Sequence, residues 1–382
     1  MVNKLFLTLL FLSLILAGYG YWTLSSNDDS IILGASLPLS GINKELGSEV
    51  AIGANVWFNY VNNNGGIKGK AIRFITYDDK YEPQNTAHNL EKLLTEDKVF
   101  ALFGFTGTPT IKKVFPTITS AKIPMVASYT GAAFLRQSVA YTIINFRTSY
   151  QDEIETLIEH LHLNRGLRRF AIFYQNDVYG EEGYIATVNA LKKHSLLLVG
   201  EGTYKRNTLS IRHALHEIQS SNPEAIIIVG AYKPSAHFIE VARQKGLDDV
   251  IFCPISFVNA DALVVELDYK TKNILFSQTV PSYDPASSDV AREYTTLLHR
   301  YFPNYPPSFA SFETFLAAKT FTKALEKVNG RLTKNKLLDI LHSKEKIDLG
   351  GVEAEFNPTN MHPHAYLYIY ENGFKPIHER AY

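Results

Sequence analysis

Residues 31–79 read IILGASLPLSGINKELGSEVAIGANVWFNYVNNNGGIKGKAIRFITYDD. Ile31 to Leu37 is a continuous, largely apolar strand. Over Gly47 to Val61, the residues Val50, Ala54, Trp57, Phe58 and Val61 recur at helical spacing. Asn62 to Gly69 is a glycine-rich turn, and Ala71 to Tyr77 is a second strand. Strand, amphipathic helix and strand make a βαβ unit. Apolar strands without polar alternation are those covered on both faces of a parallel sheet.

The alternation continues outward from this unit. Pro83 to Leu94 predicts a helix, with proline where a missing N–H costs little. Val99 to Phe103 follows as a strand, Thr108 to Ser120 as a helix, and Pro124 to Ala127 and Thr142 to Phe146 as strands. A second run opens with a helix over Gln151 to Leu163. Strands over Arg169 to Tyr174, Leu196 to Glu201, Ala225 to Gly230 and Val250 to Cys253 then alternate with helices over Gly183 to His194, Ser210 to Ser220 and Pro234 to Lys245. Ile274 to Val280 is a further strand. Asp289 to Tyr301, Phe309 to Val328 and Thr333 to His342 are helices, and Ala365 to Phe374 is strand–turn material. Two runs of this kind predict an α/β chain with two doubly wound, Rossmann-like lobes.

The remaining composition narrows the function. The chain has 382 residues with 38 basic and 38 acidic side chains, so bulk charge gives no reason to expect nucleic acid as a partner. A single cysteine, Cys253, excludes an intramolecular disulfide and a multi-thiolate metal site. Residues 1–24 combine Lys4, the apolar run Leu5 to Ala17 and small residues at Ala17, Gly18 and Gly20. They read as a secretory signal, cleaved or retained as an anchor. Tyr19 stands where lipidation would need cysteine, so the chain is not a lipoprotein. Residues 25–30 read as a linker.

In doubly wound sheets ligands bind beyond the carboxyl ends of the strands. Those ends carry Gly, Ser, Thr and Tyr and little charge, a chemistry suited to holding a small polar molecule. No GxGxxG, P-loop, GxSxG or HExxH pattern occurs, so neither cofactor nor catalysis is expected. Asp78 and Asp79 read as a capped strand end, His362 and His364 as a polar loop rather than a metal site, and Cys253 as a core residue.

Taken in order, Pro38-Leu39-Ser40-Gly41, Asn62 to Gly69, Tyr77-Asp78-Asp79, Tyr129-Thr130-Gly131, Phe173 to Gly180, Val229 to Tyr232 and Asp348 to Gly351 resemble the branched-chain amino acid and amide-binding solute receptors of ABC importers. That family has the type I periplasmic-binding fold. The resemblance implies two lobes joined by a three-strand hinge, with the ligand cleft between them. It implies an N-terminal lobe of 31–147 plus 281–352 and a C-terminal lobe of 148–280 plus 353–382. The hinge would contain Arg147, Thr148, Pro281 and Val352. Ser40, Gly104, Phe105, Thr106, Tyr129, Thr130 and Gly131 would hold a carboxylate or carbonyl from the first lobe. Tyr179 and Tyr232 would close over the ligand, with Ser256 and Phe257 beside them. Amino-acid-binding relatives carry an acid after the strand that ends at Cys253, where this chain has Ile255, Ser256 and Phe257. The expected ligand is therefore amino-acid-like, an amide, a carboxylate or an amine held by aromatic faces, and not an ordinary branched-chain amino acid. The partner is an ABC permease or, in the alternative reading, a membrane sensor.

Overall fold

The computed structural model describes residues 30–137 and 141–377. Strand β1 (Ile31–Leu37) pairs in parallel with β2 (Ile72–Asp78) on one side and β3 (Ala101–Phe103) on the other. β4 (Met125–Val126) and β5 (Ile143–Ile144) complete a sheet of order β2-β1-β3-β4-β5. Its connections are α1 (Lys44–Asn63), α2 (Pro83–Thr95) and α3 (Thr108–Ser120). Leu33, Ala35, Leu37 and all of β3 are buried, which is why these strands show no polar alternation.

A second parallel sheet holds β6 (Phe170–Gln175), β7 (Leu198–Tyr204), β8 (Ala225–Val229) and β9 (Ile251–Pro254) in the order β7-β6-β8-β9. Its helices are α4 (Tyr150–Glu159), α5 (Val178–Lys193), α6 (Arg212–Ser220), α7 (Tyr232–Gln244) and the short α8 (Ala260–Glu266). The chain then runs through β10 (Phe276–Gln278) to α9 (Asp289–Tyr301) and α10 (Phe309–Lys327), both packed on α1, and to α11 (Lys334–Leu341). At Gly53 a Cβ would lie 2.0 Å from the Ser311 carbonyl oxygen, so glycine sets how closely α1 and α10 approach. A hairpin of β11 (Lys346–Asp348) and β12 (Glu353–Glu355) follows. β13 (Tyr366–Tyr370) then joins β10 and β14 (Phe374–Pro376) in an antiparallel sheet.

Several boundaries differ from expectation for identifiable reasons. α5 starts five residues before Gly183 because Asp177 caps it, accepting the Tyr179 N–H at 3.0 Å. Tyr179 is thus the second residue of a helix rather than part of a loop. α7 starts at Tyr232 and carries Pro234 in its first turn. The expected helix to Leu163 divides, its last turn widening into a π-helix over His160–Asn164. Neither α8 nor the β11–β12 hairpin was expected. Both are too short to show a period.

Asn145 donates its N–H to the Pro358 carbonyl (2.9 Å), and Met361 and His362 donate theirs to Asn145 (3.0 Å) and Phe146 (2.9 Å). Residues 358–362 therefore run beside the first crossover. Gly350 and Gly351, at φ of +109° and +87°, form a turn that places Val352 in the β11–β12 hairpin. The segment 1–24 and nearly all of the linker 25–30 lie outside the described residues. Among the described residues no helix is long and apolar enough to cross a membrane.

Candidate functional site

The carboxyl ends of the two parallel sheets face each other, and Arg147 lies between them, fully buried. Its Nη2 donates to Ser256 Oγ (2.7 Å), Thr279 Oγ1 (3.3 Å) and Glu313 Oε2 (3.1 Å). Its Nε lies 3.0 Å from Glu313 Oε1, and its guanidinium carbon is 4.1 Å from the Tyr129 ring centre. Burial alone would favour the neutral form, but Glu313 outweighs it and holds Arg147 above the ordinary arginine value. One side chain thus ties β10's exit (Thr279), the helix α10 (Glu313) and the loop after β9 (Ser256) to the first crossover. Arg136 adds to this, donating to the carbonyls of Arg147 (2.9 Å) and Thr148 (3.0 Å). Thr148 Oγ1 donates to Asp152 at 2.7 Å and accepts from Asn360 at 3.3 Å. Pro281 lies three residues beyond β10, at the start of an irregular stretch.

The expected first-lobe contacts come together, but they bond chiefly to one another. The N–H groups of Gly104, Thr106, Tyr129 and Thr130 donate to the carbonyls of Val126 (3.0 Å), Ser36 (3.4 Å), Phe105 (2.7 Å) and Ser128 (2.9 Å). Thr106 Oγ1 donates to Gly104, and Thr130 Oγ1 shares hydrogen bonds with Thr108 (2.8 Å) and Tyr150 (3.1 Å). Gly131 is pressed against Tyr150, where a Cβ would meet the ring at 2.5 Å. Phe105 is fully buried. Ser40 Oγ donates to Asp78 at 2.5 Å, away from these groups, so Ser40 and Asp78 form a strand-end cap. Asp79 is buried and takes Ser36 Oγ (2.8 Å), the Tyr81 N–H (2.9 Å) and Thr86 Oγ1 (3.1 Å). Burial nevertheless pushes it up to about 6.

Aromatic rings from both sides meet in front of these loops. The Phe257 ring centre lies 4.7 Å from Tyr179, 6.1 Å from Tyr129 and 6.2 Å from Tyr81. Tyr150 lies 5.4 Å from Tyr179. Ser256 serves as a brace: its N–H and Oγ donate to Glu153 at 2.8 and 2.9 Å while its Oγ accepts from Arg147. The sequence reading missed Tyr81. It enters the gap because its own φ of +59° ends the turn after Asp79 and because Gly107 leaves room for its ring.

Tyr232 lies apart from the rings, on a cavity of about 270 Å³ between the two sides. Glu49, Asp261, Lys44 and Ser308 also line it. Glu49 Oε2 accepts from Ser308 Oγ (2.9 Å) and from Asn259 Nδ2 (3.1 Å). Asp261 accepts from the Tyr283 hydroxyl (2.7 Å) and the Phe309 N–H (2.8 Å). Both carboxyls open partly onto the cavity, yet they are deep enough for burial to dominate. Burial, and then Asp261, raises Glu49 well above the usual range, and burial pushes Asp261 up to about 6.

Contacts across the gap hold the two sides closed. Arg206 bridges Asp177 (3.0 Å) and Glu82 (3.1 Å), Asn207 Nδ2 donates to Glu82 (2.6 Å), and the Ala133 N–H donates to Glu182 (2.9 Å). Among the described residues no cluster of three His, Cys, Asp or Glu has a metal-binding arrangement. His362 is buried instead, with its ring nitrogens 3.0 Å from the Glu353 carbonyl and 3.2 Å from the Tyr366 hydroxyl. The Cys253 thiol is buried and burial pushes it up, away from thiolate reactivity.

Two parallel-sheet lobes closing on an interior of rings and hydroxyls define a two-lobed solute-binding protein. The chain belongs to the periplasmic binding protein family, whose pattern it matches over residues 30–373. That membership implies an extracytoplasmic location. A possible leucine/isoleucine/valine-binding protein from Rhodopirellula baltica superposes with a TM-score of 0.87 at 29% identity, covering 92% of this chain and 97% of that one. A substrate-binding periplasmic protein from Ralstonia solanacearum gives 0.85 at 25% identity, covering 91% and 100%. An amino acid binding protein of Pseudomonas aeruginosa is 22% identical over 220 residues, which span 57% of this chain and 58% of that protein.

Proposed function

We propose that this chain captures a small amino-acid-like, amide or carboxylate solute by hinge closure and delivers it to an ABC importer. The observation that supports this is the set of polar contacts between Glu82 and Arg206, Ala133 and Glu182, and Glu49 and Asn259. Each joins the two lobes and can exist only when they are shut. Closure is then driven by contacts absent from the open form, and a solute trapped between the lobes adds to them. A second reading is a sensory module whose closed form is read by a membrane receptor. A retained N-terminal anchor would favour it, and Tyr19 in place of a lipidation cysteine leans the same way. A crossover of 31–147 into 148–280, back through 281–352 and out again agrees with either reading.

Mass spectrometry of protein purified without refolding identifies any solute it carries, and small-angle scattering before and after dialysis reads closure. A solute retained in the compact form is the expected result. Calorimetry with leucine, isoleucine and valine is expected to show no micromolar binding. The N–H groups of Gly104, Thr106, Tyr129 and Thr130 already bond within the fold, which leaves few of the expected donors for an amino acid's carboxylate.

A further inference from the structure

We infer that the cavity between Glu49, Asp261 and Tyr232 is a receptor for a protonated amine, and that the captured solute enters it with its cationic end first. This rests on the solute-capture reading and names the chemistry of the guest.

Three independent features converge there. The first is the placement of the acids. Glu49 stands on α1 and Asp261 on α8, so one carboxylate comes from each lobe. Each is fixed from the opposite side of the gap: Asn259, which caps α8, donates to Glu49, and the Phe309 N–H, which opens α10, donates to Asp261. The pair is therefore assembled only by closure. Among the described residues no basic side chain pairs with either carboxylate. The lining holds four acids (Glu45, Glu49, Asp261, Glu266) against Lys44 and Lys233, and Lys44 lies 3.4 Å from Glu45. Two facing carboxylates in a partly dehydrated space repel unless a cation or a proton lies between them.

The second feature is Tyr232. The residue is 2% exposed, and its hydroxyl, with no hydrogen-bond partner among the described residues, opens onto the cavity within the field of Glu45, Glu266 and Glu49. A guest can hydrogen-bond to it there. The ring already has the Lys233 ammonium 5.8 Å from its centre, a setting that suits an organic cation. The third feature is the neighbouring pocket. Phe257, Tyr81, Tyr129 and Tyr179 crowd it, and the N–H groups of Gly104, Thr106, Tyr129 and Thr130 are already bonded. The buried cation beside the rings, Arg147, is already paired with Glu313 at 3.0 Å, whereas a cationic end has Glu49 and Asp261.

The test uses the full chain and three compounds of one frame: phenethylamine, hydrocinnamamide and hydrocinnamate, which end in an ammonium, an amide and a carboxylate. Binding is read by calorimetry and closure by small-angle scattering. Phenethylamine is expected to bind at least tenfold more tightly than the other two and to favour the compact form. Glu49→Gln and Asp261→Asn should each weaken it tenfold or more, and Tyr232→Phe two- to fivefold. Both acid replacements should hold or raise the melting temperature without ligand, since each removes a buried charge, so a loss of binding is not a loss of fold. Equal or tighter binding of the amide or carboxylate, or undiminished amine binding in both acid variants, overturns the amine receptor and leaves solute capture standing. Solute capture itself fails if scattering shows the same closed shape under every condition and no solute copurifies.

Discussion

Arg147 carries a full charge with no access to water, and its one ion pair among the described residues is with Glu313 at 3.0 Å. Such a pair contributes little against an apolar substitute, but breaking it strands a charge. Arg147→Met leaves Glu313 with the Thr279 hydroxyl alone, and the expected loss is about 3–5 kcal/mol, read as a lower urea midpoint. The double replacement Arg147→Met with Glu313→Leu is expected to recover most of it. A single-variant loss below about 1 kcal/mol would show that the pair is solvated in solution. The same residue shows why a sequence under-reports a site. The resemblance implies a hinge role for Arg147 but does not give its partners, which lie 109, 132 and 166 residues away. Glu49 and Asp261 were not legible at all. One sits on a helix whose apolar face dominates its pattern, and the other on a helix of seven residues.

Elements with a strong period were readable and those fixed by a single contact were not. The helix over Asp289–Tyr301 matches its expected span, and the strand at Ile31–Leu37 does too, since burial of one face or both writes itself into the residue order. The start of α5 depends on one carboxylate accepting one N–H, which composition does not reveal. The connection over residues 358–362 was not legible for a related reason. It is held by main-chain hydrogen bonds between residues 358–362 and 145–146, which leave no mark on side-chain pattern. His362 gives that connection a pH dependence. Burial pushes its ring down to about 4 from 6.5, so the fold binds it neutral. The stability it supports is complete above about pH 6.5 and is lost as pH falls toward 4, by up to about 3 kcal/mol. Asp79 and Asp261 act in the opposite direction. Raised to about 6, each weakens the fold as it ionises between its ordinary value of 3.8 and 6. The difference between wild type and His362→Gln isolates the histidine. The gap in melting temperature is expected to be widest at pH 7 and to close by pH 4. A gap of constant width would mean that His362 does not titrate within the fold.

At the scale of the whole molecule the open–closed balance combines ring contacts at Phe257 with polar contacts at the mouth of the gap. Surface ion pairs are individually weak, so the closed form exceeds the open one by a margin that single residues can reverse. Arg206 is the most consequential of these at the mouth of the gap. It holds Asp177 on its own lobe and Glu82 across the cleft, with a quarter of its side chain exposed at 24%. Arg206→Glu replaces two attractions by two repulsions, but only when the lobes are shut. In the open form the repulsion from Asp177 alone remains. The expected effect is a shift of about 1–2 kcal/mol toward the open form, or roughly 5- to 30-fold in its population, falling as salt is raised. Small-angle scattering should show a larger radius of gyration for the variant at low ionic strength, converging on wild type at high salt. Affinity for the captured solute should fall by the same factor, because binding has to repay the lost closure. Expansion without loss of affinity would separate closure from capture. A loss of affinity with unchanged shape would place Arg206 against the solute itself.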